Sequence, residues 1–268
     1  MNSLQANLAA MCLVAVCCLA GADDIRSFAD KADLAPATLK SGLEFLTPET
    51  RAMQLDDFEN PGFLWVEAGK ALFEEEEASP SCQSCHAASG DRALRGVAAR
   101  YPAVDSQAGE LLNLEQRINR CRETHQAQPS LAYESAPLLS LTAYVASLSR
   151  GMPYQPSIDG PARSYFERGR AYFFARRGQL NLACTQCHDD NWGRMLRGDR
   201  ISQGHGNAYP AYRLEWQTLG SLHRRFRDCD RGVRAQPNAA GAGIYVALEL
   251  YLAWRAGNLA LESPGIRR

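Results

Sequence analysis

The sequence has almost no excess charge of either sign: 29 basic side chains face 30 acidic ones over 268 residues, a formal net charge of −1. It has no basic tail and no nucleic-acid-binding motif, so the electrostatic footprint of a nucleic-acid partner is absent. After residue 22 no run is apolar enough to span a bilayer. Clear period-two alternation is missing, which argues against a sheet protein. What remains is Ala, Leu, Arg and Glu in helix-like stretches. The hydrophobic fraction of 46% suits a globular chain, and the length allows one large domain or two small ones.

The first 22 residues differ from the rest. "LAAMCLVAVCCLAGA" is an apolar run about as long as a signal-peptide core, and Ala20-Gly21-Ala22 forms a small-residue cleavage site followed at once by Asp23 and Asp24. Residues 1–7 carry no Lys or Arg, and a buried N-terminal helix is the competing reading. A lipid anchor on Cys17 is disfavoured because Val16 is larger than the small residue usual before such a cysteine. The expectation is a signal peptide over 1–22 and an exported mature chain with no membrane span.

Of nine cysteines, Cys12, Cys17 and Cys18 leave with that segment, and Cys82, Cys85, Cys121, Cys184, Cys187 and Cys229 remain. Four of these sit in "CQSCH" (82–86) and "CTQCH" (184–188). C-x-x-C-H is the signature of covalent c-type haem attachment. Two thiols one turn apart add to the haem vinyl groups, and the adjacent His86 or His188 stands ready as the proximal iron ligand. A redox dithiol or a zinc site would not require the motif twice, each time ending in His.

The motifs belong to a longer repeat. Glu67, Gly69, Ala71 and Phe73 precede the first, and Glu167, Gly169, Ala171 and Phe173 precede the second at a constant offset of 100 residues. Each copy then closes on an apolar helix, "LTAYVASLSRG" (141–151) or "LELYLAWRAG" (248–257). This order is that of a small cytochrome c. The chain is expected to be all-α, with two cytochrome c-like haem domains over 61–152 and 153–268, preceded by an extension over 23–60. "GMPYQPSIDGP" (151–161), rich in Pro and Gly, is the natural linker.

Cys121 and Cys229 fall at equivalent places, 23 and 22 residues before Tyr144 and Tyr251 of the closing helices. The favoured reading makes each the distal ligand of its own haem. A Cys121–Cys229 disulfide is the alternative, and His125 rivals Cys121 as ligand. Met152 and Met195 lie poorly for the role, and His205 and His223 read as surface or substrate-side residues. Around Cys229 the sequence gathers Arg224, Arg225, Arg227, Arg231 and Arg234. Cations acidify a thiol, but five guanidiniums exceed that need. Their fork matches oxyanions, so the cluster reads as an anion site over a haem-linked thiolate. A solvated basic face partly neutralised by Asp228 and Asp230 is the bland alternative.

"RFRDCDRGVRAQP" (225–237) followed by "YVALELYLAWRAGNLALESPGIR" (245–267) resembles the C-terminal half of the SoxA family, the dihaem cytochrome subunit of the SoxAX complex in bacterial thiosulfate oxidation. With Cys82, Cys85 and His86 retained, the chain resembles the dihaem type. The resemblance implies two covalent haem c groups and a periplasmic location. It implies oxidative coupling of thiosulfate to a cysteine of SoxY in the SoxYZ carrier, an L-cysteine S-thiosulfotransferase activity. Electrons would leave through the partner SoxX to a downstream cytochrome c. It further implies that Cys229 is the catalytic ligand and carries a persulfide, that Arg225 contacts substrate, and that Cys121 ligates the other haem; from the cluster itself, Arg231 and Arg234 are expected to help Arg225 bind the anion. A dihaem carrier without catalysis is the second hypothesis. A dihaem peroxidase is the third, and it needs an open distal position that two protein thiolates would occupy.

Overall fold

Two helix pairs carry the architecture, and each pair crosses at a glycine. The computed structural model describes residues 38–75, 80–86 and 94–268. The expected signal peptide (1–22) and the first part of the extension (23–37) lie outside the described residues. In chain order the helices are α1 (Pro48–Leu55), α2 (Phe63–Glu74), α3 (Cys82–His86), α4 (Leu114–His125), α5 (Ala136–Ser147), α6 (Arg163–Phe174), α7 (Cys184–His188), α8 (Leu222–Gly232) and α9 (Gly243–Arg255). Helix α2 packs on α5, and α6 packs on α9. A Cβ placed on Gly69 would stand 2.0 Å from the Ser140 carbonyl oxygen, and one on Gly169 would stand 1.9 Å from that of Ala247. Only a residue without a side chain allows such an approach. The repeated glycine is thus the contact that closes each half.

The rings one turn further along meet in the same way in both copies. Phe73 lies 5.3 Å from Tyr144, and Phe173 lies 5.3 Å from Tyr251. Burial of each such ring contributes about 1.5–3 kcal/mol. The two cores are not independent. Leu219, Ala253 and Leu261 of the second half join the first core, while Leu111 of the first half joins the second. The expected linker is also tied down. Gly151 N–H donates to Leu261 O at 2.8 Å, Tyr154 N–H to Leu259 O at 3.0 Å and Gln155 N–H to Ala99 O at 2.8 Å.

The all-α expectation holds for the frame but not in full, because the described residues include three small sheets. β1 (Ala103–Val104) pairs with β2 (Leu111–Leu112), and β3 (Met195–Leu196) with β4 (Asp199–Arg200), both antiparallel. β5 (Ala211–Arg213) lies between antiparallel β6 (Thr218–Gly220) and parallel β7 (Gly265–Arg267). Strands of two or three residues are too short to display a period of two, so sequence pattern misses them. Helix α1 straps onto β7: Gln54 Oε1 accepts from Ile266 N at 2.9 Å and from Arg267 Nη1 at 2.6 Å. The last part of the N-terminal extension therefore packs against the chain's C-terminal segment.

Caps fix where the two cysteine-bearing helices start. Asn113 and Gln116 form a reciprocal capping box on α4 (3.0 and 3.2 Å), and Ser221 Oγ accepts from Arg224 N at 3.1 Å on α8. A buried polar junction joins these helices. Asn113 Nδ2 donates to Glu249 Oε2 (3.2 Å), Tyr133 stacks on His223 (5.7 Å, 2°), and His223 Nε2 lies 3.2 Å from Glu249 Oε2. Burial, with Glu249 and Glu134 nearby, pushes the Glu115 carboxyl up to about 8.

Two outcomes follow from this packing. Gly169→Ala forces α6 and α9 apart. Overpacking of this kind costs about 1–3 kcal/mol, or roughly 2–12 °C in melting temperature for a chain of this size. A thermal melt matching wild type would show that the crossing does not need glycine. For Glu115 the folded value of about 8 lies above the ordinary 4.5. Between these values the unfolded chain ionises the group and the folded protein keeps it neutral. Its contribution is therefore complete below about pH 4.5 and is lost as pH rises through about 8. Glu115→Gln should flatten that alkaline decline in a series of melts from about pH 5 to pH 9.

Candidate functional site

In the first half, α3 carries Cys82 and His86 to a cavity of about 700 Å³, with Cys85 exposed beside them. Its wall is largely apolar, with Leu114, Ile118, Leu141 and Val145 among the lining side chains, and Cys82, His86 and Cys121 also line it. Phe73 from the crossing pair lies against His86, with ring centres 6.0 Å apart. Burial raises the Cys82 thiol against the opposing effects of the Gln126 amide, 3.5 Å from its sulfur, and of Arg122. Burial and Arg117 hold His86 below the usual imidazole range, which favours the neutral, ligating form. An apolar cavity of this size with His and Cys in its walls and a C-x-x-C-H helix at its rim fits a haem. Of the two rivals on α4, Cys121 lines the cavity, while His125 in the last turn is exposed and outside the lining.

In the second half, α7 presents Cys184, Cys187 and His188. His188 Nδ1 lies 2.7 Å from the Ser202 carbonyl oxygen. A carbonyl only accepts, so the proton sits on Nδ1 and the Nε2 lone pair is left for a metal. Burial, with Arg255 and Arg225 nearby, brings this histidine down to about 4, so it is neutral near pH 7. Burial pushes the Cys184 thiol up to about 12, and Arg177 Nη1 approaches its sulfur at 3.8 Å. Cys187 is raised by burial and by Cys229, and Arg225 opposes that rise. The Cys229 sulfur therefore acts on both attachment thiols. The neutral imidazole and the paired thiols fit a second haem.

Helix α8 brings Cys229 and Arg225 to this place. Leu222, Phe226 and Asp230 recur every four residues on its buried face, and Arg225 precedes Cys229 by one turn, so the two side chains share a face. Cys229 is the largest cause of the rise in the Arg225 guanidinium's pKa. The other arginines are differently engaged. Arg224 stacks on Trp216 at 4.2 Å. Arg231 pairs with Asp228 at 3.0 Å on the exposed surface. Arg234 is exposed on left-handed backbone (φ 58°) at the chain reversal after α8, and Arg227 is half-buried. The neighbouring acids are engaged as well. Asp228 accepts from Trp216 Nε1 at 3.1 Å, and Asp230 turns to Tyr172, Tyr245 and Arg177.

Some sequence expectations change. All six described cysteines are free, so no Cys121–Cys229 disulfide is present. His205 and His223 are not surface residues, at 7% and 1% exposed. Their burial comes from contacts across more than one element, which local sequence does not report. Met195 is exposed, and Met152 packs by Gly96. Sequence reasoning passed over Arg177 and Ser202, and took Asp230 only as a charge.

A family model described as SoxA/TsdA, cytochrome c domain, matches residues 68–154. The chain is 40% identical over 231 residues to the L-cysteine S-thiosulfotransferase subunit SoxA of Rhodovulum sulfidophilum, covering 85% of this chain and 80% of that one. The subunit of the same name from Pseudaminobacter salicylatoxidans is 36% identical with the same coverage. Among solved structures, the crystal structure of SoxXA from P. pantotrophus is similar with a TM-score of 0.82 at 34% identity, over 86% of this chain and 87% of that one.

Proposed function

From the premise that the chain belongs to the SoxA family, we propose how its residues divide the work of an L-cysteine S-thiosulfotransferase. The protein is a SoxA-type cytochrome c of thiosulfate oxidation and carries covalently bound haem c. Two such groups are proposed, one through Cys82 and Cys85 in a domain spanning 61–152, the other through Cys184 and Cys187 in a domain spanning 153–268. His86 and Cys121 would hold the first iron, and His188 and Cys229 the second. SoxX is its partner, SoxYZ the carrier that docks, and a downstream cytochrome c the final acceptor. Residues 1–22 would direct it to the periplasm. Among the described residues no helix is long and apolar enough to cross a membrane.

The reaction joins the outer sulfur of thiosulfate to the carrier cysteine. One S–S bond forms, the carrier thiol loses its proton, and two electrons are released. Bound haem supplies the redox centre that takes up electrons. The chain's own residues supply position and charge. Cys229 would hold the second iron and place its sulfur at the reacting centre, and Arg225 holds the sulfonate oxygens beside it. Arg231 and Arg234, on the exposed face, help to draw in the anion. His188 is kept neutral and oriented by Ser202. The observation that carries this reading is the Arg225 guanidinium in the field of Cys229, Cys187 and His188 together.

Mass spectrometry of protein made with haem-maturation machinery should find two haem additions, on 82–86 and 184–188 peptides. In the oxidised protein Cys121→Met should change the first low-spin signal only, and His125→Ala should change neither. A His125 effect equal to that of Cys121 would reverse the assignment.

Thiosulfate-dependent electron transfer, with SoxX and SoxYZ supplied, tests the anion site. Losing a charge-assisted hydrogen bond costs roughly 1.5–3 kcal/mol, about tenfold to a hundredfold in kcat/KM. Arg225→Ala should lose at least that much with both haem spectra intact, and Arg225→Lys should recover part of the loss because charge remains without the planar fork. Cys229→Ala should abolish turnover and alter the second spectrum. Wild-type turnover by Arg225→Ala would leave the arginines as a solvated or docking surface.

A further inference from the structure

The two halves close in the same way, which makes each a control for the other. Tyr172 on α6 corresponds to Leu72 on α2, Tyr245 on α9 to Leu138 on α5, and Asp230 after Cys229 to Arg122 after Cys121. In the second half these three residues form a buried polar network. Asp230, 2% exposed, accepts through Oδ2 from Tyr172 Oη at 2.9 Å and Tyr245 Oη at 2.5 Å, and through Oδ1 from Arg177 Nη1 at 3.3 Å. Asn238 aims both phenols: its Nδ2 donates to Tyr172 Oη at 3.3 Å and its backbone N–H to Tyr245 Oη at 3.0 Å. Each hydroxyl proton is then directed at the carboxylate. Arg177 extends the network to Cys184 Sγ at 3.8 Å. Backbone bonds run alongside, from Leu180 N to Val233 O and from Gln179 N to Arg234 O, both at 3.3 Å.

The first half closes the same helix pair with two leucines, so the fold does not require this network. It costs desolvation of a carboxylate and a guanidinium, which is tolerated only when every partner is in place. Its ends are the helix of Cys229 and the segment entering Cys184.

We propose that Asp230 is a positioning residue, clamped by Tyr172, Tyr245 and Arg177 so that the Cys229 sulfur is held in one place and direction relative to the Cys184–His188 helix. The inference rests on Cys229 being the distal ligand at the reactive centre. Carboxylates that orient a metal ligand from behind commonly matter about tenfold to a hundredfold in activity.

The test uses the full haem-loaded protein with SoxX bound. Asp230→Asn, Tyr172→Phe and Tyr245→Phe are compared with wild type by electron paramagnetic resonance of the oxidised state, thermal melting, and thiosulfate-dependent electron transfer to SoxX with SoxYZ. Asp230→Asn should shift or split the low-spin signal of the second haem, leave that of the first unchanged, and lower kcat/KM by about tenfold to a hundredfold. Each Tyr→Phe change keeps the ring and should give a smaller shift of the same signal. If Asp230→Asn fails to fold, these two variants carry the test. A drop in melting temperature with an unmoved second-haem signal in every folded variant would make Asp230 a scaffold residue and overturn the proposal while leaving Cys229 ligation standing. A wild-type second haem without thiolate character would overturn both readings.

Discussion

Backbone contact at Gly69 and Gly169 is the constraint from which the rest follows. With the helices of each pair touching through the Ser140 and Ala247 carbonyls, the rings one turn away must meet, and Phe73–Tyr144 and Phe173–Tyr251 do so at the same 5.3 Å. The chain between the paired helices cannot enter that contact. It is forced to one side, where it carries the C-x-x-C-H turn and later the cysteine helix, and in the first half it walls the cavity that holds His86 and Cys121. A larger residue at either glycine would separate the wall as well as the helices.

The halves are locked by more than sequence continuity. Apolar residues cross from each half into the other's core, and the Asn113–Glu249–His223 junction ties α4 to α8. Buried acids that repel one another are costly, and burial, with the Glu249 charge beside it, keeps Glu115 neutral at this junction. Movement of one cysteine helix would have to break this junction or carry the other helix with it.

The covalent chemistry was the most legible part of the sequence. Haem attachment demands fixed spacing, so "CQSCH" and "CTQCH" stand out without structure, and so do Gly69 and Gly169 once the copies are aligned. Cys121 and Cys229 were legible by a different signal, their equivalent distances before the closing helices, 23 and 22 residues from Tyr144 and Tyr251. The short strands were not, because two or three residues cannot show a period. Nor were the burial of His205 and His223 or the roles of Arg177 and Asp230. These depend on partners such as Tyr172 and Asp230, 58 residues apart, and no local pattern encodes such a contact. A closer comparison of the copies would have exposed Leu72 against Tyr172 and Arg122 against Asp230, since a departure from the repeat marks where the halves do different things.

The arginine cluster illustrates how charge near a thiol is sorted by geometry. Two unit charges about 4 Å apart interact by about 4 kcal/mol at an effective dielectric constant of 20. A dianion approaching a thiolate at that range meets roughly twice this repulsion, and one guanidinium at the same range attracts the dianion by a like amount. On the proposed reading, a guanidinium beside the reacting sulfur offsets charge that a thiosulfate dianion brings. The charges around Arg225 are partly engaged elsewhere, Asp228 with Trp216 and Arg231, Asp230 with its tyrosines and Arg177, Arg224 with the Trp216 ring, while Asp228 and Glu215 still act on Arg225. Removing the partners of Asp228 would strengthen the negative charge that already acts on Arg225, without touching Arg225 itself. On the proposed reading, the charge available at Arg225 thus depends on how Asp228 and Asp230 are engaged as well as on the arginine itself.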